Sequence, residues 1–362
     1  MGYAGVRGGQ EAIVAAERLA HRARFGGRSR WLELDQITGR LPLAVDRVMG
    51  EGGLWAPELA ARAVRQGQGD LLEAAQLLRA HRSTLPRLGY SLPVDPDSLR
   101  PVRRIVPSHR NPPGGQILGI TTDHAPRVLD LTPEDDAEGG AENTAGRPAP
   151  ARPSGAAPAV RPTPFRDELG ATGLLADRRD PADPEPYDIT RAPARPGTPR
   201  SARLGAMARA ETGSLTHLWY TASRSPGNHG PQIPLELRRG ALPLLVTHPH
   251  TGRPVTVTRA RVTEARVVRP DDRPRPDGSR FDAGYGLCFG DNDPKALAMA
   301  ALDLLVHRDA ATDRLEQKVL IALDGPEASG FLEHLKLPHY VDFRSTMERV
   351  QAVRAEADGG AR

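Results

Sequence analysis

Cysteine is all but missing from this sequence. Cys288 is the only one, so no intrachain disulfide, iron-sulfur cluster or thiolate zinc site can form within it. Lysine is nearly as scarce, since only Lys295, Lys318 and Lys336 stand among 49 basic residues. Aromatic residues make up 4% and hydrophobic residues 38%, so a part of the chain is expected to stay outside any packed core. No apolar run approaches the length that crosses a membrane, and the first 25 residues alternate small and charged side chains where a secretory signal would be apolar. The expectation is a soluble cytoplasmic protein with no membrane partner. A net charge of +4 spread through an Arg-, Ala-, Gly- and Pro-rich composition reads as compositional bias, so no nucleic-acid partner is expected and a small anionic substrate fits as well.

What is abundant is glycine and proline, 37 and 35 residues, and their placement divides the chain. Gln10 to Arg24 carries Ile13, Ala16, Leu19 and Ala20 on one helical stripe. Further helices are expected over Leu41 to Met49, ending at Gly52-Gly53, over Pro57 to Arg65, and over Asp70 to Arg82, where Asp70 and Glu73 form a capping box. Residues 1–131 are therefore expected as a mainly helical domain. From Thr132 to Thr163 almost nothing bulky and apolar occurs, and a disordered linker is expected.

Residues 164–349 read as a domain of mixed sheet and helix, followed by a flexible tail over 350–362, so the fold class is α+β. Strand-like runs cover Leu215 to Ala222, Leu242 to His248 and Val255 to Val268, with a hairpin turn at His250-Thr251-Gly252-Arg253-Pro254. Gly284-Tyr285-Gly286-Leu287-Cys288-Phe289-Gly290 is a glycine-rich strand or loop. Asp293 then caps a helix that has Pro294 at its first position.

The stretch with the most concentrated chemistry is Gly330 to Phe343. Pro338 cannot continue a helix, so a helix bearing His334 should end near Leu337 and leave His339 just beyond. Two imidazoles on the two sides of a helix end can converge on one metal ion, although Zn²⁺ needs further ligands. Lys336 sits between them, a compact ammonium kept in an arginine-dominated chain. Asp46, Arg47 and Glu51 put both charge signs where a helix meets Gly52-Gly53. They allow either a functional carboxylate or an intrahelical ion pair. The glycine-rich loop before Asp293 allows either a phosphate cradle or close strand-helix packing, and its spacing matches neither nucleotide-binding fingerprint. His248 and His250, at a hairpin mouth, favour a solvent-facing role.

Four motifs together closely resemble one family. They are Gly330-Phe331-x-x-His334-Leu335-Lys336-Leu337-Pro338-His339-Tyr340-Val341-Asp342-Phe343, Gly284-Tyr285-Gly286-Leu287-x-Phe289-Gly290, Leu43-Ala44-Val45-Asp46-Arg47-Val48-Met49-x-Glu51-Gly52-Gly53, and Pro113-Gly114-Gly115-Gln116-x-Leu118-Gly119. In matching order from Tyr3 to about Phe343, with a gap between Thr132 and Thr163, they resemble the I-subunit family of the carbon-phosphorus lyase core complex, PhnI. The resemblance implies a transferase that joins the ribose triphosphate of ATP to an alkylphosphonate with release of adenine, giving an α-D-ribose 1-alkylphosphonate 5-triphosphate. It also implies a nucleosidase side activity when the subunit is isolated. Implied partners are the G, H and J subunits and the ATPase-like K and L subunits. Implied cofactors are a divalent metal, zinc before others, on His334 and His339, and Mg²⁺ accompanying the ATP triphosphate. Asp46, Glu51 and Tyr340 are the candidates for catalysis. Arg47, Gly114, Gly115, Gln116, Tyr285, Gly286 and Lys336 are the candidates for substrate contact. A stand-alone purine nucleosidase and a non-catalytic scaffold for the J subunit remain open as alternatives.

Overall fold

The computed structural model describes residues 9–27, 31–129, 131, 133, 164–176, 182, 185–224, 231–270, 278, 280–308, 313–321, 323–336 and 342–359. These form twelve α-helices and a four-stranded antiparallel sheet, an α+β architecture. The chain folds into two compact units. One comprises Met1–Pro86, Arg209–Glu211 and Ile321–Arg362, and the other Arg87–Ala208 and Thr212–Leu320. The boundary near Pro86 replaces the one expected at 131, because the sheet takes its first strand from residues that precede the expected linker. That linker itself, 132–163, lies outside the described residues apart from Pro133.

In the first unit, α1 (Gln10–Phe25), α2 (Leu34–Arg40), α3 (Pro42–Gly52), α4 (Pro57–Gln66) and α5 (Leu71–Thr84) follow one another closely. The boundaries are written in the local sequence. Pro42 and Pro57 open their helices, where a missing N–H costs nothing. Gly53, at φ 67°, closes α3 in the left-handed region. The Asp70 carboxylate accepts from the amides of Leu72 at 2.9 Å and Glu73 at 3.2 Å. Ile37, Val45, Val48, Met49, Ala60, Val64 and Leu78 are the buried face on which α2 to α5 meet.

The second unit is built on a meander of β1 (Arg100–Ile105), β2 (Ile233–Thr247), β3 (Pro254–Pro270) and β4 (Phe281–Phe289), in spatial order β1-β2-β3-β4. Pro243 is tolerated in β2 because β1 pairs only with Leu237 to Ala241, leaving the proline where no neighbour asks for its N–H on that side. Short α6 (Phe165–Ala171) packs near β2, and α7 (Arg200–Arg209) follows. The run Leu215 to Ala222, expected as a strand, lies inside α8 (Thr212–Ser223). Its β-branched and aromatic residues suggest a strand, but Leu215 and Ala222, seven apart, are the two buried positions, and burial at helical spacing decides.

The helix α9 (Asp293–Arg308) covers one face of the sheet, with α10 (Asp313–Ile321) after it. Contact between α9 and β4 is so close that glycine is required. A Cβ on Gly284 would lie 1.9 Å from the Ala300 carbonyl oxygen, and one on Gly286 would lie 2.2 Å from that of Ala296. Back in the first unit, α11 (Gly325–Lys336) reaches α5, and α12 (Asp342–Gly359) continues through much of the segment expected as a flexible tail. Gly286→Ala is expected to lower stability by about 2 kcal/mol or more through overpacking, with Gly284→Ala at least as costly. Urea denaturation curves with an unchanged slope and a lower midpoint would register this, and an unchanged midpoint would mean α9 moves aside freely.

Candidate functional site

The sheet face opposite α9 carries charge where a core is normally apolar. Alternation places Glu236 and Arg238 on this face of β2 and Glu264 and Arg266 on this face of β3, and the register sets Arg238 opposite Glu264 and Glu236 opposite Arg266. All four are buried. Glu264 accepts from Arg238 Nε at 2.7 Å and from Arg266 Nη2 at 2.8 Å, so one carboxylate is held between two guanidiniums. Arg104, also buried and opposite Arg238 on β1, donates from Nε to Glu236 at 2.6 Å. Asp97, on the 3-10 turn before β1, joins from the edge, accepting from Arg238 at 2.9 Å and from Arg166 at 3.1 Å. Burial pushes the Asp97 carboxyl up, but the Arg238 hydrogen bond and the charges of Arg266 and Arg166 outweigh it and hold the group below its usual value.

Tyr285 on β4 completes this cluster. Its ring lies 5.6 Å beneath the Arg266 guanidinium, a cation-π pairing. Burial, reinforced by the negative charge of Glu264, pushes its phenol well above the ordinary value despite Arg266 and Arg238. The phenol therefore stays protonated and donates to Glu264. Its amide donates to Asp303 Oδ2 at 3.0 Å, and Asp303, fully buried on α9, takes a two-pronged hydrogen bond from Arg200. Arg166, Arg200, Arg266 and Tyr285, with Leu235 and Ala283, line a cleft of about 540 Å³. A cleft of that size holds a nucleotide-sized ligand, and guanidinium edges with a protonated phenol suit anionic oxygen atoms.

The second gathering is in the helical unit. Asp46 and Glu51 on α3 are buried, and Arg47 Nε donates to Glu51 Oε1 at 2.8 Å while its Nη2 pairs with Glu211. Arg79 on α5 donates to the Glu51 carbonyl at 2.7 Å and pairs with Asp324. The structure thus uses Arg47 and Glu51 as an intrahelical pair extended by Glu211.

Gly114 and Gly115, both at positive φ, form the tip of a loop that Gln116 closes. The Gln116 side chain accepts from the Val106 amide at 2.7 Å and donates to the Val106 carbonyl at 3.0 Å, copying a strand neighbour. Arg104 ties the loop down by donating to the carbonyls of Pro113 at 2.7 Å and Gly115 at 2.9 Å. Gly286 faces α9 on the side away from the cleft, so packing accounts for that glycine. At the hairpin, His248 Nδ1 accepts from the amides of His250 and Thr251, both at 3.2 Å, and serves the turn.

The chain matches the family model described as bacterial phosphonate metabolism protein (PhnI) over residues 2–357. It belongs to the PhnI family. Relatives named alpha-D-ribose 1-methylphosphonate 5-triphosphate synthase subunit PhnI occur in Rhizobium meliloti (strain 1021), at 36% identity over 98% of this chain and 96% of the relative, and in Escherichia coli (strain K12), at 37% identity over 99% and 100%. HtxH of Stutzerimonas stutzeri is 40% identical over 99% of this chain and 97% of its own.

Of the motifs that carry the PhnI resemblance, the one with the histidines is only partly described. His334 and Lys336 lie within α11, but their side chains are outside the described set, as is the whole of the segment in which that helix was expected to end. His339 and Tyr340 lie outside it altogether. Among the described residues no group of three or more His, Cys, Asp or Glu is placed to hold a metal. No described helix is long and apolar enough to cross a membrane. What sequence reasoning missed is the arginine-carboxylate cluster around Asp97, Glu264 and Asp303. Its only local signal is Glu-x-Arg at 236–238 and 264–266, which places opposite charges on one strand face.

Because the folded Asp97 carboxyl titrates below its unfolded value of 3.8, its contribution to stability is full above that value and lost as pH falls through the lower folded one. Asp97→Asn should therefore lose stability relative to the parent at pH 6, and the gap should close as the pH is taken below 3.8, in thermal melts across that range. Parallel curves would show that Asp97 is not linked to folding.

Proposed function

We propose that this chain, as a subunit of the carbon-phosphorus lyase system of phosphonate use, transfers the ribose triphosphate of ATP to an alkylphosphonate and releases adenine. The observation that carries the reading is similarity along the whole chain to relatives whose name is that of a subunit of the corresponding synthase. The arginine-lined cleft beside Tyr285 supports it, since both reactants bring anionic oxygens that guanidiniums bind.

The reaction needs a stabilised cationic ribosyl carbon and a proton for departing adenine. Asp46, Glu51 and Tyr340 are the candidates for these roles. Among them Asp46 and Glu51 are buried, and Glu51 is paired with Arg47, which suits holding charge better than delivering a proton. Tyr285, kept protonated, can donate a hydrogen bond but is a weak acid. His334 and His339 are the residues for a divalent metal, zinc before others, and neutral imidazoles are the donor type that ion accepts. When bound, such an ion supplies charge for phosphonate or phosphate oxygens. Partner subunits G, H and J, with K and L, complete the cytoplasmic assembly in this reading, and Mg²⁺ accompanies the triphosphate.

The test is adenine release from ATP and methylphosphonate by the purified chain combined with its G, H and L partners. Release should depend on methylphosphonate and fall at least a hundredfold in the His334→Ala, His339→Ala double variant, to the level expected when a catalytic metal is lost. Unchanged release by the double variant would leave the chain a scaffold.

A further inference from the structure

The guanidiniums of Arg166, Arg200 and Arg266, which line the cleft beside Tyr285, are not equivalent, because their counter-charges lie at different depths. Arg266 Nη2 donates to Glu264 at 2.8 Å, and Glu264 is buried. Arg200 makes its two-pronged contact with Asp303, which is fully buried. An incoming anion could take either arginine only by leaving a carboxylate charged and alone inside the protein, which is strongly disfavoured. The Tyr285 phenol is committed to Glu264 as well. Arg166 is held differently. Its Nη2 donates to Asp97 at 3.1 Å and its Nε to Asp167 at 3.0 Å, and both carboxylates are partly exposed, as is the Arg166 side chain at 42%. Ion pairs in that setting are weak, so a better acceptor can replace one of them. No residue of α6, which carries Arg166, is buried, so this guanidinium can turn without disturbing a core.

That difference limits what the cleft accepts. With Arg200 and Arg266 neutralised from within, Arg166 is the one lining guanidinium among the described residues whose charge can pass to a ligand, and Asp97 and Asp167 beside it repel further negative charge. A chain of phosphates is badly served there, and a single phosphonate or phosphate head is well served. Away from Arg166 the lining turns apolar, through Pro96, Leu175, Leu235 and Ala283. A volume of about 540 Å³ is far more than a small inorganic anion fills, so the ligand brings an organic body to the apolar wall.

We propose that this cleft takes the organic phosphonate, its charged head on Arg166 in exchange for Asp97 or Asp167 and its carbon substituent against the apolar wall. Arg166 is then the residue that selects a single-headed ligand, while Arg200, Arg266 and Tyr285 keep the shape of the cleft through their buried partners. The choice of a phosphonate rests on the transfer reading above, whereas the single head and the apolar body rest on the cleft itself.

The experiment is calorimetric titration of the full chain, without ATP, using methylphosphonate, butylphosphonate and tripolyphosphate. Butylphosphonate should bind about tenfold or more tightly than methylphosphonate, since each buried methylene adds up to about fourfold. Equal affinity would remove the apolar wall from the site and overturn the proposal. Arg166→Gln should weaken butylphosphonate binding about tenfold or more by removing a charge-assisted pair. Asp167→Asn should act in the opposite direction and tighten it about threefold, because a competitor for Arg166 is gone. If Arg166 serves only to hold α6 in place, Asp167→Asn leaves binding unchanged or weakens it, and either result overturns the proposal. Tripolyphosphate that binds more tightly than butylphosphonate, and loses that affinity in Arg166→Gln, gives the cleft to the phosphate chain of the nucleotide and overturns it too. Should Arg166→Gln not fold, Asp167→Asn decides alone. Intact butylphosphonate binding without adenine release sinks the transfer reading and leaves this site standing. Adenine release whose KM for methylphosphonate is the same in Arg166→Gln as in the parent sinks this site alone.

Discussion

Glu264 is the point on which the sheet unit depends. A carboxylate this deep would be untenable alone, and Arg238 and Arg266, one on each side, are what make it possible. The dependence runs both ways, because the two guanidiniums are buried as well and would repel each other without it. From there the requirement spreads outward. Arg238 engages Asp97, Asp97 engages Arg166, and Tyr285 lies under Arg266 with its phenol directed to Glu264. Such a network adds little net stability compared with a well-packed apolar core, but it tolerates few alternative registers. A shift of β3 by one residue would put both members of each pair on opposite faces.

The same logic links the cleft to more distant parts of the unit. Arg104 holds Glu236 and, with its other edge, the carbonyls of the Pro113 to Gly115 loop. Glu236 also accepts from the amide of Phe165 at 3.1 Å, where α6 begins, and α6 supplies Arg166 to the cleft. One buried ion pair therefore fixes a loop and the start of a helix at once. The position of Arg166 follows from contacts made one residue and one strand away.

Much of the local structure was legible in the residues. Pro57, Gly53 and Asp70 announced where helices begin and end, and the alternation through Val255 to Val268 announced β3, because each signal acts within a few residues. Leu215 to Ala222 misled for the opposite reason. Its residues favour a strand, and only its packing makes it helical. The candidate site was legible in part. Tyr285 stood out by its glycine-bounded motif and lines the cleft, whereas Gly286 beside it serves α9. Arg104 and Glu236 are 132 positions apart, and Arg200 and Asp303 are 103 apart, so no sequence window contains either pair.

The strand β4 has two faces with different tolerances. Gly284 and Gly286 point at the carbonyls of α9, where even one methyl group does not fit. Tyr285 points the other way, toward open volume. Because side chains alternate strictly along a strand, neighbouring codons here answer to unrelated demands. The even positions are held by the helix, while Tyr285 between them answers to the charged face and the cleft. A lineage of such chains could retune what the cleft accepts from that face alone, on a backbone that never has to move.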